Sequence, residues 1–292
     1  MLGGTLSNTL AEGPAQPVET AVLHNVFRVN ARLYSGNGPG DEAAFRELAK
    51  LGVKTIISVD GAPPKLALAR KFGMRYVHLP IGYDGVPQAR AAELTKAAQT
   101  AEADGPVYLH CHHGKHRGPA AVAVVCRALD GWGVEKADAF LKQAGTAPDY
   151  AGLYRDVGAF RPPTAEELAR LPAQFPESVT TAPLVEAMVA IDEHFDTLKA
   201  AQKTAWREIP GHPDITPAQA STLIWQRLRE LARDPDTKKR GADYEIMLTE
   251  SEQAADTLRQ LLRDSTGETA ARDAAFHRAW KSCATCHKAH RN

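Results

Sequence analysis

Tyr108-Leu109-His110-Cys111-His112-His113-Gly114-Lys115-His116-Arg117-Gly118 is the stretch from which the fold of this chain can be read. It follows Pro106 and Val107, so an apolar strand runs into a cysteine, and an arginine stands six positions later. Beyond it, Pro119-Ala120-Ala121-Val122-Ala123-Val124-Val125 has the small and apolar make-up of a buried helix. A short loop between a strand and a helix turns its peptide N–H groups, and the positive end of the helix dipole, into one small bowl. Such a bowl binds phosphate, and its field favours the nucleophilic thiolate of a cysteine at its base. Arg117 adds a planar fork for two phosphate oxygens. The phosphate-binding candidates are therefore His112, His113, Gly114, Lys115, His116 and Arg117, with Cys111 as nucleophile.

Outward from that loop the pattern alternates. Leu51 to Asp60 reads as a helix end, a glycine cap and a buried strand, and Lys65 to Phe72 as a helix. Arg75 to Ile81 reads as a second strand, and Gln88 to Ala103 as the helix leading into the strand before Cys111. Strands alternating with helices predict an α/β domain, a mainly parallel central sheet with flanking helices. Ligands of such sheets bind at the carboxyl ends of the strands, where Cys111 stands.

His-Cys, five residues, then arginine resembles the signature loop of the protein tyrosine and dual-specificity phosphatases, and the resemblance covers roughly residues 22–160. It implies a cysteine-dependent phosphomonoester hydrolase working through a phosphocysteine, and it implies a carboxylic acid that protonates the leaving group. Asp84, in Pro80-Ile81-Gly82-Tyr83-Asp84-Gly85-Val86-Pro87, matches that family's acid, and Asp60 of Val59-Asp60-Gly61 is the fallback. Either aspartate could instead cap its own turn. One position departs from the family: Gly118 replaces the serine or threonine whose hydroxyl helps the thiolate leave. The cationic loop, with Lys115 four residues after Cys111, is similar to that of phosphoinositide 3-phosphatases. That similarity implies a polyphosphorylated substrate, but a bowl built by backbone accepts any side chains, so phosphoproteins and other phosphorylated small molecules stay open. His110 reads as a residue that orients the loop.

The tail carries a second chemistry, Cys283-Ala284-Thr285-Cys286-His287. This spacing lets two thiols form thioethers to one haem while the histidine ligates iron. The four cysteines of the chain leave no second pair to complete a zinc ribbon. Helical apolar spacing recurs in Pro183 to Ala201, Pro217 to Arg233, Tyr244 to Arg263, and from Thr269 into the motif, predicting an all-α four-helix bundle. Residues 178–292 with the motif on the last helix resemble cytochrome c′ and its c-556 relatives, and Arg291 fits that pattern too. The resemblance implies covalent haem c on Cys283 and Cys286, His287 as axial ligand, and Met188 as the sixth ligand. The alternative for Met188 is core packing. A bound methionine suits electron transfer with a redox partner, and an open site suits a gas ligand.

Lysine and arginine number 35, as do aspartate and glutamate, so no bulk attraction to nucleic acid is implied, and no apolar run reaches a membrane span. The expected organisation is a disordered lead-in (1–21), a phosphatase-like domain (22–160), a proline-marked linker (161–177) and the haem bundle (178–292). Haem attachment of this kind implies the periplasm. The N-terminus lacks the features of an export signal, which is expected to have been replaced by Met1. The resulting reading is a phosphatase whose haem domain regulates it or transfers electrons. The alternative is a haem sensor or electron carrier with a phosphate-binding domain that does not hydrolyse.

Overall fold

In the computed structural model, which describes residues 15–210, 215–264 and 267–291, the chain forms two units divided after Thr180. The first contains β1 (Gln16–Pro17), β2 (Phe27–Arg28), β3 (Leu33–Asn37), α1 (Glu42–Lys50), β4 (Thr55–Ser58), α2 (Leu66–Lys71), β5 (Arg75–His78) and α3 (Gln88–Glu102). It continues with β6 (Val107–Cys111), α4 (Arg117–Leu129), α5 (Val134–Gln143), α6 (Ala151–Ala159) and α7 (Ala165–Ala169). The sheet order is β1-β2-β3-β6-β4-β5. β3, β6, β4 and β5 run parallel, and β1 and β2 add an antiparallel edge.

Alternation along β6 fixes the layers, because successive strand side chains point to opposite faces. Val107, Leu109 and Cys111 join an apolar cluster with Leu94 of α3, Val122 of α4, Phe140 of α5 and Leu153 of α6. Tyr108 joins the other, with Phe45 and Leu48 of α1 and Ala69 of α2. Cys111 thus ends the central strand on the α4 side, opposite Asn37 of β3. The α1–β4 turn closes on Gly52, at φ +77°, a conformation glycine takes without strain.

Of the expected disordered lead-in, residues 1–14 lie outside the described residues. The remainder is structured: β1 pairs with β2, and the carbonyl of buried Ala15 accepts from Gln143 Nε2 at 2.8 Å. Pro17 fits there because an edge strand tolerates a missing N–H. Residues 161–177, read from the prolines as a linker, include α7, whose N-terminus is closed by a Thr164–Glu167 capping box. The Pro176 carbonyl accepts from His78 N at 2.9 Å, holding this stretch to the first unit.

The second unit is all-helical: α8 (Pro183–Lys203), α9 (Pro217–Arg233), the short α10 (Pro235–Lys238), α11 (Ala242–Arg263) and α12 (Thr269–His290). Pro217 after a Thr216–Gln219 capping box sets the start of α9. Its core holds Ile191, Phe195, Leu198, Ile224, Leu228, Leu248, Leu258, Phe276 and Cys286. Leu223 and Ile246, which fit the apolar spacing, are exposed instead. No described helix is long and apolar enough to cross a membrane.

Candidate active site

The loop after Cys111 takes its shape from outside. The His112 carbonyl accepts from Gly38 N at 3.0 Å, and the Lys115 carbonyl from Thr146 Oγ1 at 2.7 Å. The Gly114 carbonyl accepts from Asn25 Nδ2 at 2.9 Å, and the same amide group donates to Ala144 O at 2.8 Å. Three of the loop's carbonyls are thus bound to groups outside the loop. Gly114 has φ +68°, and a Cβ there would stand 2.4 Å from the Gly36 carbonyl carbon, so only glycine fits. Asn25 itself sits at φ +55°, which asparagine tolerates better than most residues.

Arg117 is buried at the start of α4, and its Nη2 donates to Asp60 Oδ1 at 2.8 Å and to the Tyr83 hydroxyl at 2.9 Å. Its guanidinium carbon also lies 4.2 Å from the Tyr83 ring centroid, and its Nε, buried as well, has no hydrogen-bond partner among the described residues. His112 Nδ1 lies 3.6 Å from the second oxygen of Asp60. Burial alone would push the Asp60 carboxyl up, but the hydrogen bond from His112 and the charge of Arg117 outweigh it and hold the group well below the usual carboxylate range. A carboxyl so fixed in its ionised form cannot donate a proton near neutral pH. Asp60, the fallback acid, is instead held as the ion-pair partner of buried Arg117.

His110 faces the other side of the sheet. Its Nδ1 lies 3.3 Å from the Cys111 carbonyl, which only accepts, so Nδ1 carries the proton. Its Nε2 then accepts from the Tyr76 hydroxyl, 3.4 Å away. Burial pushes the imidazole down to about 4, against the opposing pull of Asp60, so the ring stays neutral and orients the loop.

Asp84 stands exposed in the segment between β5 and α3, and its neighbour Tyr83 places that segment against Arg117. Of the loop side chains, Lys115 is exposed, while His112, His113 and His116 are half-buried. A Cβ at Gly118 would stand 3.1 Å from Cys111 N and 3.4 Å from Cys111 Sγ, so this is the position from which a side-chain hydroxyl would touch the sulfur. Cys126 lies fully buried well along α4, and burial pushes its thiol far up. In the second unit, Cys286 belongs to the apolar core, with Cys283 and Met188 packed against it, and His287 follows on the same helix.

Sequence reasoning missed Asn25 and Thr146, and it missed the anchoring role of Asp60. Asn25 and Thr146 act through bonds spanning 89, 119 and 31 residues, for which no local pattern exists.

No protein-family model matches the chain. It is similar to the dual specificity protein phosphatase TpbA of Pseudomonas aeruginosa strain UCBPP-PA14, 29% identical over 148 residues, which are 50% of this chain and 67% of that protein. The TpbA of strain PAO1 is 28% identical over 144 residues, 45% of this chain and 65% of the relative. The chain thus spans about two thirds of the length of these curated relatives. Among solved structures, the crystal structure of P. aeruginosa TpbA is 25% identical, with a TM-score of 0.46, and covers 52% of this chain and 92% of its own. A dual-specificity phosphatase-like domain therefore covers about half of the chain, and the proteins to which it is related are dual-specificity protein phosphatases.

Proposed function

We propose that the first unit hydrolyses phosphomonoesters through a phosphocysteine at Cys111. The observation that carries this reading is the loop whose carbonyls are bonded from outside, closed by a buried arginine beside the cysteine. Loop amides of residues 112–117 and the Arg117 fork hold three phosphate oxygens. The Cys111 thiolate attacks phosphorus, the ester P–O bond breaks, and Asp84 gives its proton to the departing oxygen. Water, deprotonated by Asp84, then attacks the phosphocysteine, releasing phosphate and restoring the thiolate. Lys115, with His112, His113 and His116 around it, favours a substrate bearing more than one phosphate, a small molecule before a phosphoprotein.

With Gly118, the thiolate leaves without a hydroxyl donor from that position. Rapid-quench kinetics on an aryl phosphate should show a burst of phenol equal to the enzyme, followed by slow turnover. Gly118→Ser should raise the slow phase by about tenfold, the scale of one hydrogen bond to a charged group. The added Cβ needs a shift of a few tenths of an ångström. Bound phosphate without any burst would favour the second reading, a phosphate-binding domain serving a haem sensor or electron carrier.

For the second unit we propose a four-helix bundle carrying covalent haem c. The donor set fits: Cys283 and Cys286 are free thiols three residues apart, neighbours on one face of α12, and His287 adjoins them. Phe195 packs on Phe276 at 6.0 Å, and Gln202 Nε2 donates to Asp273 at 3.0 Å, so α8 and α12 run antiparallel. Met188 of α8 and Cys283 of α12 pack against the same apolar cluster, which supports the choice of Met188 as sixth ligand. Bound haem would supply a one-electron couple or a gas-binding iron. Attachment of this kind also supports the periplasm as the location, and the fusion supports haem regulation of the phosphatase or exchange of electrons with a redox partner. Protein made with a c-type maturation system should keep its haem through acid–acetone extraction, and Cys283→Ala with Cys286→Ala should release it. Extraction of haem from the unaltered protein would overturn the proposal.

A further inference from the structure

We propose that α6 is the platform that sets the general acid, with Gly152 and Arg155 as positioning residues for Asp84; this rests on the hydrolytic reading above. The backbone of Asp84 lies directly on the first turn of α6. A Cβ at Gly152 would stand 1.8 Å from the Asp84 carbonyl oxygen and 2.4 Å from its carbonyl carbon, so any side chain there must displace the acid's own peptide. One turn on, Arg155 Nη2 donates to that same carbonyl at 3.0 Å. The arginine is itself held, its Nε donating to Asp156 Oδ1 at 2.7 Å.

The neighbouring positions repeat this close approach. A Cβ at Gly85 would meet Asp156 Oδ2 at 2.0 Å and Arg155 Nη2 at 3.0 Å. Where the segment enters α3, Gln88 Nε2 donates to Arg161 O at 2.6 Å, and Gln88 Oε1 accepts from Arg161 N at 3.2 Å. The far side of the segment is fixed by Tyr83 on Arg117. Asp84 therefore sits between two clamps, one on the phosphate-binding arginine and one on α6. Its carboxylate folds over Gly82, where a Cβ would stand 2.2 Å from Oδ1. An exposed acid on a loop must be held to about an ångström for proton transfer to be effective, and α6 supplies that restraint through backbone contact and one guanidinium.

The test compares a nitrophenyl phosphate, whose leaving group needs little protonation, with phenyl phosphate, whose leaving group needs it most. Arg155→Ala and Gly152→Ala should lower kcat on phenyl phosphate by about tenfold or more, part of the 10²–10⁴ typical of a general acid. The fall on the nitrophenyl ester should be much smaller, and KM should stay near that of the unaltered protein. Both variants should weaken the limb of the pH–kcat profile that Asp84→Asn removes. Arg155→Lys, which keeps a donor for the Asp84 carbonyl, should recover part of the loss. Equal losses on both esters, an unchanged pH limb, or no rescue by lysine would overturn the proposal. Failure of the underlying reading looks different: Cys111→Ser would then turn over both esters like the unaltered protein, or Asp84→Asn would leave the leaving-group dependence untouched.

Discussion

In Cys111→Ser protein, phenol release from an aryl phosphate falls by about 10⁴-fold or more, the scale seen when a covalent nucleophile is removed. The magnitude follows from the division of labour in the loop. On the proposed reading, the amides and Arg117 stabilise a phosphoryl group wherever it goes, while the nucleophile is the sulfur at the end of β6 on the α4 side. A serine hydroxyl there is a far weaker nucleophile, because an alcohol ionises far less readily than a thiol. Phosphate binding should survive, since the carbonyl bonds to Gly38, Asn25 and Thr146 do not involve the sulfur. Stopped-flow phenol release together with competition by inorganic phosphate measures both. Turnover within tenfold of the unaltered protein would exclude the phosphocysteine route.

The second large effect is on stability. Asp60→Ala should destabilise the first unit by about 3–5 kcal/mol, because it leaves the buried Arg117 guanidinium without its partner. The pH dependence has a definite sign. The folded carboxyl titrates below its unfolded value of about 3.9. Its contribution is therefore complete above about pH 4 and is lost as pH falls from there towards the folded value. The stability gap between unaltered protein and Asp60→Ala should shrink as the solution is acidified below about pH 4. Urea unfolding read by hydrogen exchange at β4 and β6 amides would follow it, and a gap independent of pH down to 3 would refute the ion-pair account. Turnover should drop as well, since Arg117 would lose the carboxylate that aims it.

What the sequence made legible was whatever repeats locally or has rigid spacing. The strand–loop–helix around Cys111 was legible, the helices from Gln88, Pro183 and Pro217 start where expected, and their ends fall within two residues of those expected. The strand read as Arg75 to Ile81 stops at His78, two residues before Pro80, which cannot donate to a ladder. β1 and β2, at two residues each, are too short to carry a period. Asp60 was visible as a fallback acid and as half of an Asp-Gly turn, and it does accept from Gly61 N at 2.8 Å. Its partnership with Arg117, 57 residues away, is a product of the β4–β6 pairing and has no local trace. The same holds for Gly152, which in sequence is one more helical glycine and in the fold marks where another backbone must pass.

An eleven-residue peptide copied from positions 108–118 would contain every side chain of the loop and none of its shape. The peptide planes are turned by Gly38, Asn25 and Thr146, groups that come together only when the sheet and α5 have formed. The entropy of ordering those planes is spent during folding, before any anion arrives. On the proposed reading, affinity for phosphate is thus a tertiary property of this chain, open to tuning by residues that never touch the ligand.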